Sequence, residues 1–197
     1  WLVAHSWSNQ VSQKADGPGR ASHYYSLTRM ETSGTVRIGD REWRVSGLTW
    51  FDHEWATNQL AAHQSGWDWF SLQFENGSEL MLFQIRTKDG GRDPYSSGTW
   101  IAPDGSTTKI GVADFELKPT KWWTSPKTKC RYPSAWNLDL PSKNLPLQLE
   151  ARFTEQELDT GPFAYWEGAI QAEGSLRGKG YLEMTGYSGG IVGMQAE

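Results

Sequence analysis

Apolar and polar residues alternate with a period of two through most of this chain, the pattern of strands buried on one face. His23 to Met30, Thr35 to Ile38 and Trp43 to Trp55 read as strands, with Ser33-Gly34 and Gly39-Asp40 as breaks between them. Thr57 to Gln64, with Leu60-Ala61-Ala62 at its centre, predicts a short helix that Ser65-Gly66 ends. Beyond it, Trp67 to Glu75 and Glu79 to Thr87 form a predicted hairpin through a two-residue turn at Asn76-Gly77. Gly98 to Ala102, Thr107 to Ile110, Asp114 to Lys118, Trp136 to Leu140 and Leu147 to Phe153 follow as shorter strands. Phe163 to Ala172 and Gly180 to Tyr187 make a last hairpin. Residues 1–22 and the proline-rich stretch 119–146, apart from Trp136 to Leu140, read as irregular. Turn signals at regular short spacing predict an all-β, mostly antiparallel fold, a sandwich or an up-and-down barrel.

Composition narrows the function more than the fold. Apolar content is only 37%, so the 13% of aromatic residues has to supply much of any core. A net charge of -4 and a pI near 5.6 give no footprint for nucleic acid. No apolar run approaches the ~18 residues of a membrane-spanning helix. The single Cys130 cannot form an internal disulfide, and no glycine-rich loop opens a helix, so neither a disulfide framework nor a nucleotide cofactor is expected. The chain starts at Trp1 without a Met or a leader-like segment, which suggests a sequence trimmed from something longer.

Chemistry concentrates in Trp50-Phe51-Asp52-His53-Glu54-Trp55 and Gly66-Trp67-Asp68-Trp69-Phe70. On a strand, Trp50, Asp52 and Glu54 share one face and Phe51, His53 and Trp55 the other. Carboxyls wedged between indoles lose water, which raises their pKa and makes general acids of them. The alternative is structural: indoles in the core, and charges paired with Arg41, Arg44 or Arg86. Asp68 shares a strand face with Phe70, Leu72 and Phe74, which suits either a desolvated acid or a strand-end carboxylate bonded to an Arg. Tyr165-Trp166-Glu167-Gly168 repeats the pairing of aromatics with a carboxylate. His5, His23, His53 and His63 are too dispersed to predict a metal site. Gly186-Tyr187-Ser188-Gly189-Gly190 has the spacing of a serine-hydrolase nucleophile, but no helix and no histidine follow it, so that chemistry is disfavoured. Asn76-Gly77-Ser78 fits a glycosylation acceptor and is better explained as a turn.

Several stretches occur in an order that resembles one superfamily. They are Tyr24-Tyr25-Ser26-Leu27-Thr28-Arg29, Asp52-His53-Glu54-Trp55, Gly66-Trp67-Asp68-Trp69-Phe70, Asn76-Gly77 with Glu79-Leu80-Met81-Leu82, Tyr165-Trp166-Glu167-Gly168, and Gly180 to Tyr187. The resemblance is to the lipocalin-like superfamily of carotenoid 1,2-hydratase, the bacterial AttH-type predicted secreted hydrolases and the fungal lipocalin-like Diels-Alderases. It covers nearly the whole chain and is strongest to the AttH type. It implies a lipocalin-like antiparallel β-barrel over residues 59–197, preceded in residues 1–58 by the terminal strands of a first lobe. The rest of that lobe, or a second chain, would then pair with those strands. It also implies a secreted or periplasmic protein that takes an apolar small molecule such as an isoprenoid or polyene. His53 and Trp55 stand where the hydratase motif places its histidine and tryptophan. The hydratase's Tyr and Asp on the strand after the hairpin have no counterpart in Leu82-Phe83-Gln84-Ile85, so Asp52, Glu54 or Asp68 would have to supply the proton.

Three functions fit these residues. One is acid-catalysed hydration of a C=C bond, with the cation held against indole faces. Another is a non-catalytic carrier of an apolar ligand. The third is a pericyclase that fixes a reactive conformer. The candidate catalytic residues are His53, Asp68, Asp52 and Glu54, and the candidate substrate contacts are Trp50, Trp55, Trp67, Trp69, Tyr165 and Trp166, with no metal and no cofactor. Because the two faces of the Trp50 to Trp55 strand cannot line one cavity together, His53 and Trp55 are expected to line it, with Asp68 as the nearest carboxylate. Asp52 and Glu54 are then expected to be structural.

Overall fold

The computed structural model describes residues 2–4, 11–56, 60–161 and 164–189. They form two antiparallel sheets. The first holds β1 (Leu2–Ala4), β2 (Val11–Gln13), β3 (Ala21–Ile38) and β4 (Arg41–Trp55). Here β1 and β2 share one edge of β3, and β4 pairs along the other. The second holds β5 (Gln64–Phe74), β6 (Glu79–Thr87), β7 (Ser97–Ile101), β8 (Thr107–Ile110), β9 (Glu116–Thr124), β10 (Arg131–Leu140), β11 (Leu145–Ala151), β12 (Glu157–Asp159), β13 (Ala164–Gly174) and β14 (Gly178–Met184). Its spatial order is β8-β7-β6-β5-β14-β13-β11-β10-β9, with β12 beside β13. Most strands therefore lie next to their neighbours in sequence, the exceptions being β8 with β9 and β11 with β12, and the first strand, β5, lies next to the last, β14.

The sheet curls into a lipocalin-like half-barrel, hereafter the barrel, that is open between β8 and β9. The two ends of the order, β8 and β9, are joined only by residues 111–115, which include a 3-10 turn over Val112–Asp114. Ile110 at the end of β8 and Leu117 on β9 enter one core with Phe70, Trp136, Trp166 and Leu182. On β5 the alternation is explicit: Asp68, Phe70, Leu72 and Phe74 point into the barrel and are buried, while Trp67, Trp69 and Gln73 point outward and are half-exposed. Trp136 and Trp166 are each 1% exposed, and truncating such a side chain to Ala typically costs roughly 3–5 kcal/mol. The interior of the barrel is a packed core.

The base of the β3–β4 ribbon lies across the outer face of β5 and β6. Glu79, fully buried, accepts hydrogen bonds from Arg29 Nε and, at 3.2 Å, from Thr28 Oγ1. The Gln73 side chain donates to the Thr28 carbonyl at 2.6 Å, and Arg20 to the Leu60 carbonyl at 3.0 Å. Tyr24 packs with Leu60, Met81, Phe83 and Ile85. Thr28 and Arg29 form a bulge between the Leu27–Phe51 and Met30–Thr49 pairs, which turns Arg29 toward the barrel. Past the bulge, residues 31–49 are exposed on both strands.

Several local expectations are corrected. Ser33-Gly34 does not break the strand, because Gly34 is paired with Val45 inside one uninterrupted ladder. The described part of the expected helix is instead a bridge at Leu60, a turn at Ala62-His63 and the start of β5 at Gln64; residues 57–59 lie outside the described residues. Gln64 decides this: its side chain binds the Ala61 N–H, the Lys14 carbonyl and Asp93 at 2.8–2.9 Å, which fixes an extended start for β5. The Asn76-Gly77 turn is a three-residue loop in which Phe74 pairs with Ser78 and Gly77 takes φ +87°, so a bulge replaces the two-residue turn. Residues 119–146 are mostly strand. Pro133 sits at register shifts in β10, and Pro119 lies on β9, an edge of the sheet order, where a missing N–H is tolerated. Residues 1–22, expected to be irregular, contain β1 and β2.

Candidate functional site

The outward side chains of β5, β13 and β14 face the inward side chains of the ribbon, and between them lies a cleft of about 760 Å³. Trp50, Asp52 and Glu54 of β4 and Tyr24 of β3 line one wall. Trp67 and Trp69 of β5, Glu167 of β13, and Tyr181 and Glu183 of β14 line the other. Trp50 and Trp69 meet edge to face across the cleft, with centroids 6.3 Å apart. The result is an indole-walled cavity with four carboxyl groups on its surface.

Those carboxyls are held differently. Asp52 Oδ1 accepts from Tyr24 OH at 2.6 Å, from Trp50 Nε1 at 2.9 Å and from Ser26 Oγ. Burial pushes Asp52 above the usual carboxylate range, with the three donors pulling the other way. Glu54 accepts from Ser22 Oγ and pairs with Lys14 Nζ at 3.0 Å. Glu183 has a single indole donor, Trp67 Nε1 at 2.9 Å. Burial, opposed by that bond but reinforced by the charges of Glu167, Glu54 and Asp52, pushes Glu183 up to about 7. Burial also raises Glu167. Near neutral pH this cleft therefore holds a proton on a carboxyl beside indole faces, the state required of a general acid.

A family model described as AttH-like matches residues 2–187. The chain belongs to the AttH-like family. Among solved structures, an AttH described from Nitrosomonas europaea is similar, with a TM-score of 0.85 and 32% identity over 94% of this chain and 58% of that one. Kievitone hydratase from Nectria haematococca shares the fold, with a TM-score of 0.72 and 18% identity over 93% of this chain and 57% of that one. The dehydratase asqC of Emericella nidulans is 26% identical over 169 residues, 80% of this chain and 47% of that protein. The chain thus spans about half the length of the curated relative it matches.

Against this AttH-like fold the expected site residues divide into three groups. Asp52, Glu54, Trp50, Trp67 and Trp69 come together in the cleft. His53 and Trp55 do not join them, because they lie on the ribbon's other face. There His53 meets Trp55 at 4.9 Å and Tyr25 at 5.4 Å between ring centroids, and Trp55 is 46% exposed. Asp68 is inside the barrel, with Arg86 Nε at 3.3 Å and an accepted bond from Tyr187 OH at 3.1 Å; Arg86 in turn stacks on the Tyr187 ring. The expectation that His53, Trp55 and Asp68 share one cavity is therefore not met, and the pair expected to be structural, Asp52 and Glu54, lines the cleft instead. Neither pairs with Arg41, Arg44 or Arg86; Arg86 serves Asp68.

Tyr165 shares the outward face of β13 with Glu167. Trp166 belongs to the core, its indole donating to the Thr154 carbonyl at 2.7 Å. Ser188 is a clasp, accepting from the Ala164 N–H at 3.2 Å and donating to its carbonyl at 2.9 Å. Glu183 and Glu167 were missed as site residues. The available signal was the alternation of Tyr181 and Glu183 with the apolar Leu182 and Met184, which marks an outward carboxylate on the last strand of the barrel. Among the described residues no three His, Cys, Asp or Glu side chains gather as a metal site, and no helix is long and apolar enough to cross a membrane.

Proposed function

We propose that the cleft adds water to, or eliminates it from, an apolar substrate, with Glu183 as the acid. The carrying observation is a carboxyl pushed up to about 7 and held by Trp67 Nε1 in a cavity walled by Trp50, Trp67 and Trp69. In hydration, Glu183 gives its proton to one alkene carbon, and the cation formed at the other carbon faces the indole π-systems. Water adds there and loses a proton to a carboxylate on the facing ribbon, for which Asp52 is placed. In elimination, Glu183 protonates the departing hydroxyl and Asp52 takes the proton from the adjacent carbon. An isoprenoid or other polyene suits the walls. The names of two relatives, a dehydratase and a hydratase, support the same class of chemistry.

The test uses H₂¹⁸O and a panel of prenyl and aryl alkenes and alcohols, with products followed by mass spectrometry. Label should be incorporated on hydration, and Glu183→Gln should lower the rate by roughly the 10²- to 10⁴-fold expected for a general acid. Ligand retained in organic extracts of the purified protein, with no turnover of any panel member, would instead establish a carrier. Unchanged turnover in Glu183→Gln would remove the assigned acid.

A further inference from the structure

We propose that Glu167 and Glu183 act as one proton-holding pair in which Glu167, the outer member, passes the proton between water and Glu183. The geometry starts from the strand ladder. Glu167 and Glu183 are directly opposed on β13 and β14, both point out of the barrel, and both line the cleft. Directly opposed carboxyls on neighbouring strands lie within reach of each other's charge, and the charge of Glu167 raises Glu183. Two ionised carboxylates side by side repel and neither can donate to the other, whereas one shared hydrogen lets the protonated member donate to the ionised one.

Trp67 Nε1 supplies one donor to Glu183. Among the described residues the ion pairs of this region use Lys14 with Glu54, and none reaches Glu167 or Glu183. The other groups facing the pair are Asp52 and Glu54 from β4, Tyr24 from β3, Tyr165 from β13, and Lys179 and Tyr181 from β14; β5 contributes Trp67, Trp69, Ser71 and Gln73, none of which titrates. Apart from Lys179, and Lys14 which is paired with Glu54, the charge around the pair is negative, so holding one proton between two carboxyls is favoured over releasing it.

The pair balances a turnover. When the inner Glu183 releases its proton to substrate, both members are momentarily anionic side by side. That repulsion makes Glu167 a strong acceptor for a proton from water, and its O–H then donates to Glu183 and restores the acid. Glu167 is thus a positioning and relay residue, and it acts on substrate only through Glu183. This inference rests on Glu183 being the acid, but the pair can be tested without any substrate.

The full chain is prepared with ¹³C at the glutamate side-chain carboxyls, and the signals are followed from pH 4 to pH 9. Glu167→Gln and Glu183→Gln assign the two resonances. In the unsubstituted chain both resonances should titrate in two shared steps, as coupled groups do. In Glu167→Gln the Glu183 signal should titrate in a single step, at a pH lower by about 1, because a neighbouring like charge is gone and an amide N–H now donates to the carboxylate. Any alkaline limb of the rate profile should move by the same amount, and Glu167→Asp should restore most of it. Single, independent titrations in the unsubstituted chain, or a Glu183 step unmoved by Glu167→Gln, would overturn the pair. Retained turnover in Glu183→Gln, with the coupled titration present, would overturn the assigned acid while leaving the pair intact.

Discussion

Glu183 carries a charge problem whose sign can be followed from the side chain to the stability of the fold. Its folded-state value of about 7 lies above the ordinary 4.5, so the folded chain holds this proton more tightly than the unfolded chain. Stability from this group is complete below about pH 4.5 and falls as pH rises through 7, by about 3 kcal/mol in all. Glutamine cannot ionise and keeps a similar shape. Glu183→Gln should therefore melt at a higher temperature than the parent at pH 8, with the gap closing toward pH 5. Parallel melting curves across that range would show that the burial of Glu183 is not felt. The same residue illustrates what was legible and what was not. That Trp50, Asp52 and Glu54 share a face follows from strand alternation alone. Which face meets the barrel depends on the outward tryptophans of β5 and on a strand more than a hundred residues later. Asp68 was correctly grouped with Phe70, Leu72 and Phe74, but a row of apolar neighbours looks the same whether it lines a cavity or a packed core. The core reading holds because Arg86 and Tyr187 complete the pairing.

The ribbon and barrel, as elements, were readable to different depths. The strands of the barrel announce themselves by alternation, and Gly39-Asp40 marks the end of β3 because a two-residue loop there joins Ile38 to Arg41. Pro119, Pro133 and Ser33-Gly34 misled because breaker residues weigh less than an otherwise satisfied ladder. The docking of one element on the other was not legible, since it depends on a carboxylate and a guanidinium fifty residues apart. Glu79→Ala removes the acceptor that Arg29 and Thr28 share. Because Arg29 is 22% exposed, the loss should fall below the 3–5 kcal/mol of a fully buried pair, at about 2–3 kcal/mol. Amide exchange should then accelerate over Ala21 to Leu27 and Trp50 to Trp55 more than over β9 to β11. Uniform acceleration across both sheets would mean that Glu79 supports the barrel itself rather than the seat of the ribbon.

At the scale of the whole molecule, the barrel joins its first strand to its last by pairing β5 with β14, placing Trp69 opposite Glu183 and Phe70 opposite Leu182. Every other ladder of that barrel joins strands close in sequence, among them β5 with β6, β9 with β10, and β13 with β14. Short-range hairpins zip quickly, whereas joining segments more than a hundred residues apart bears a larger loop-closure entropy and comes late. The wall of the cleft spans that long-range seam, and the Trp67–Glu183 bond crosses it. The cleft is thus expected to be completed late in folding, so during refolding ligand binding should return only with the final kinetic phase. In stopped-flow refolding, Trp67→Phe should lose much of the fluorescence amplitude of that phase while keeping its rate; an undiminished amplitude would place the seam earlier on the pathway.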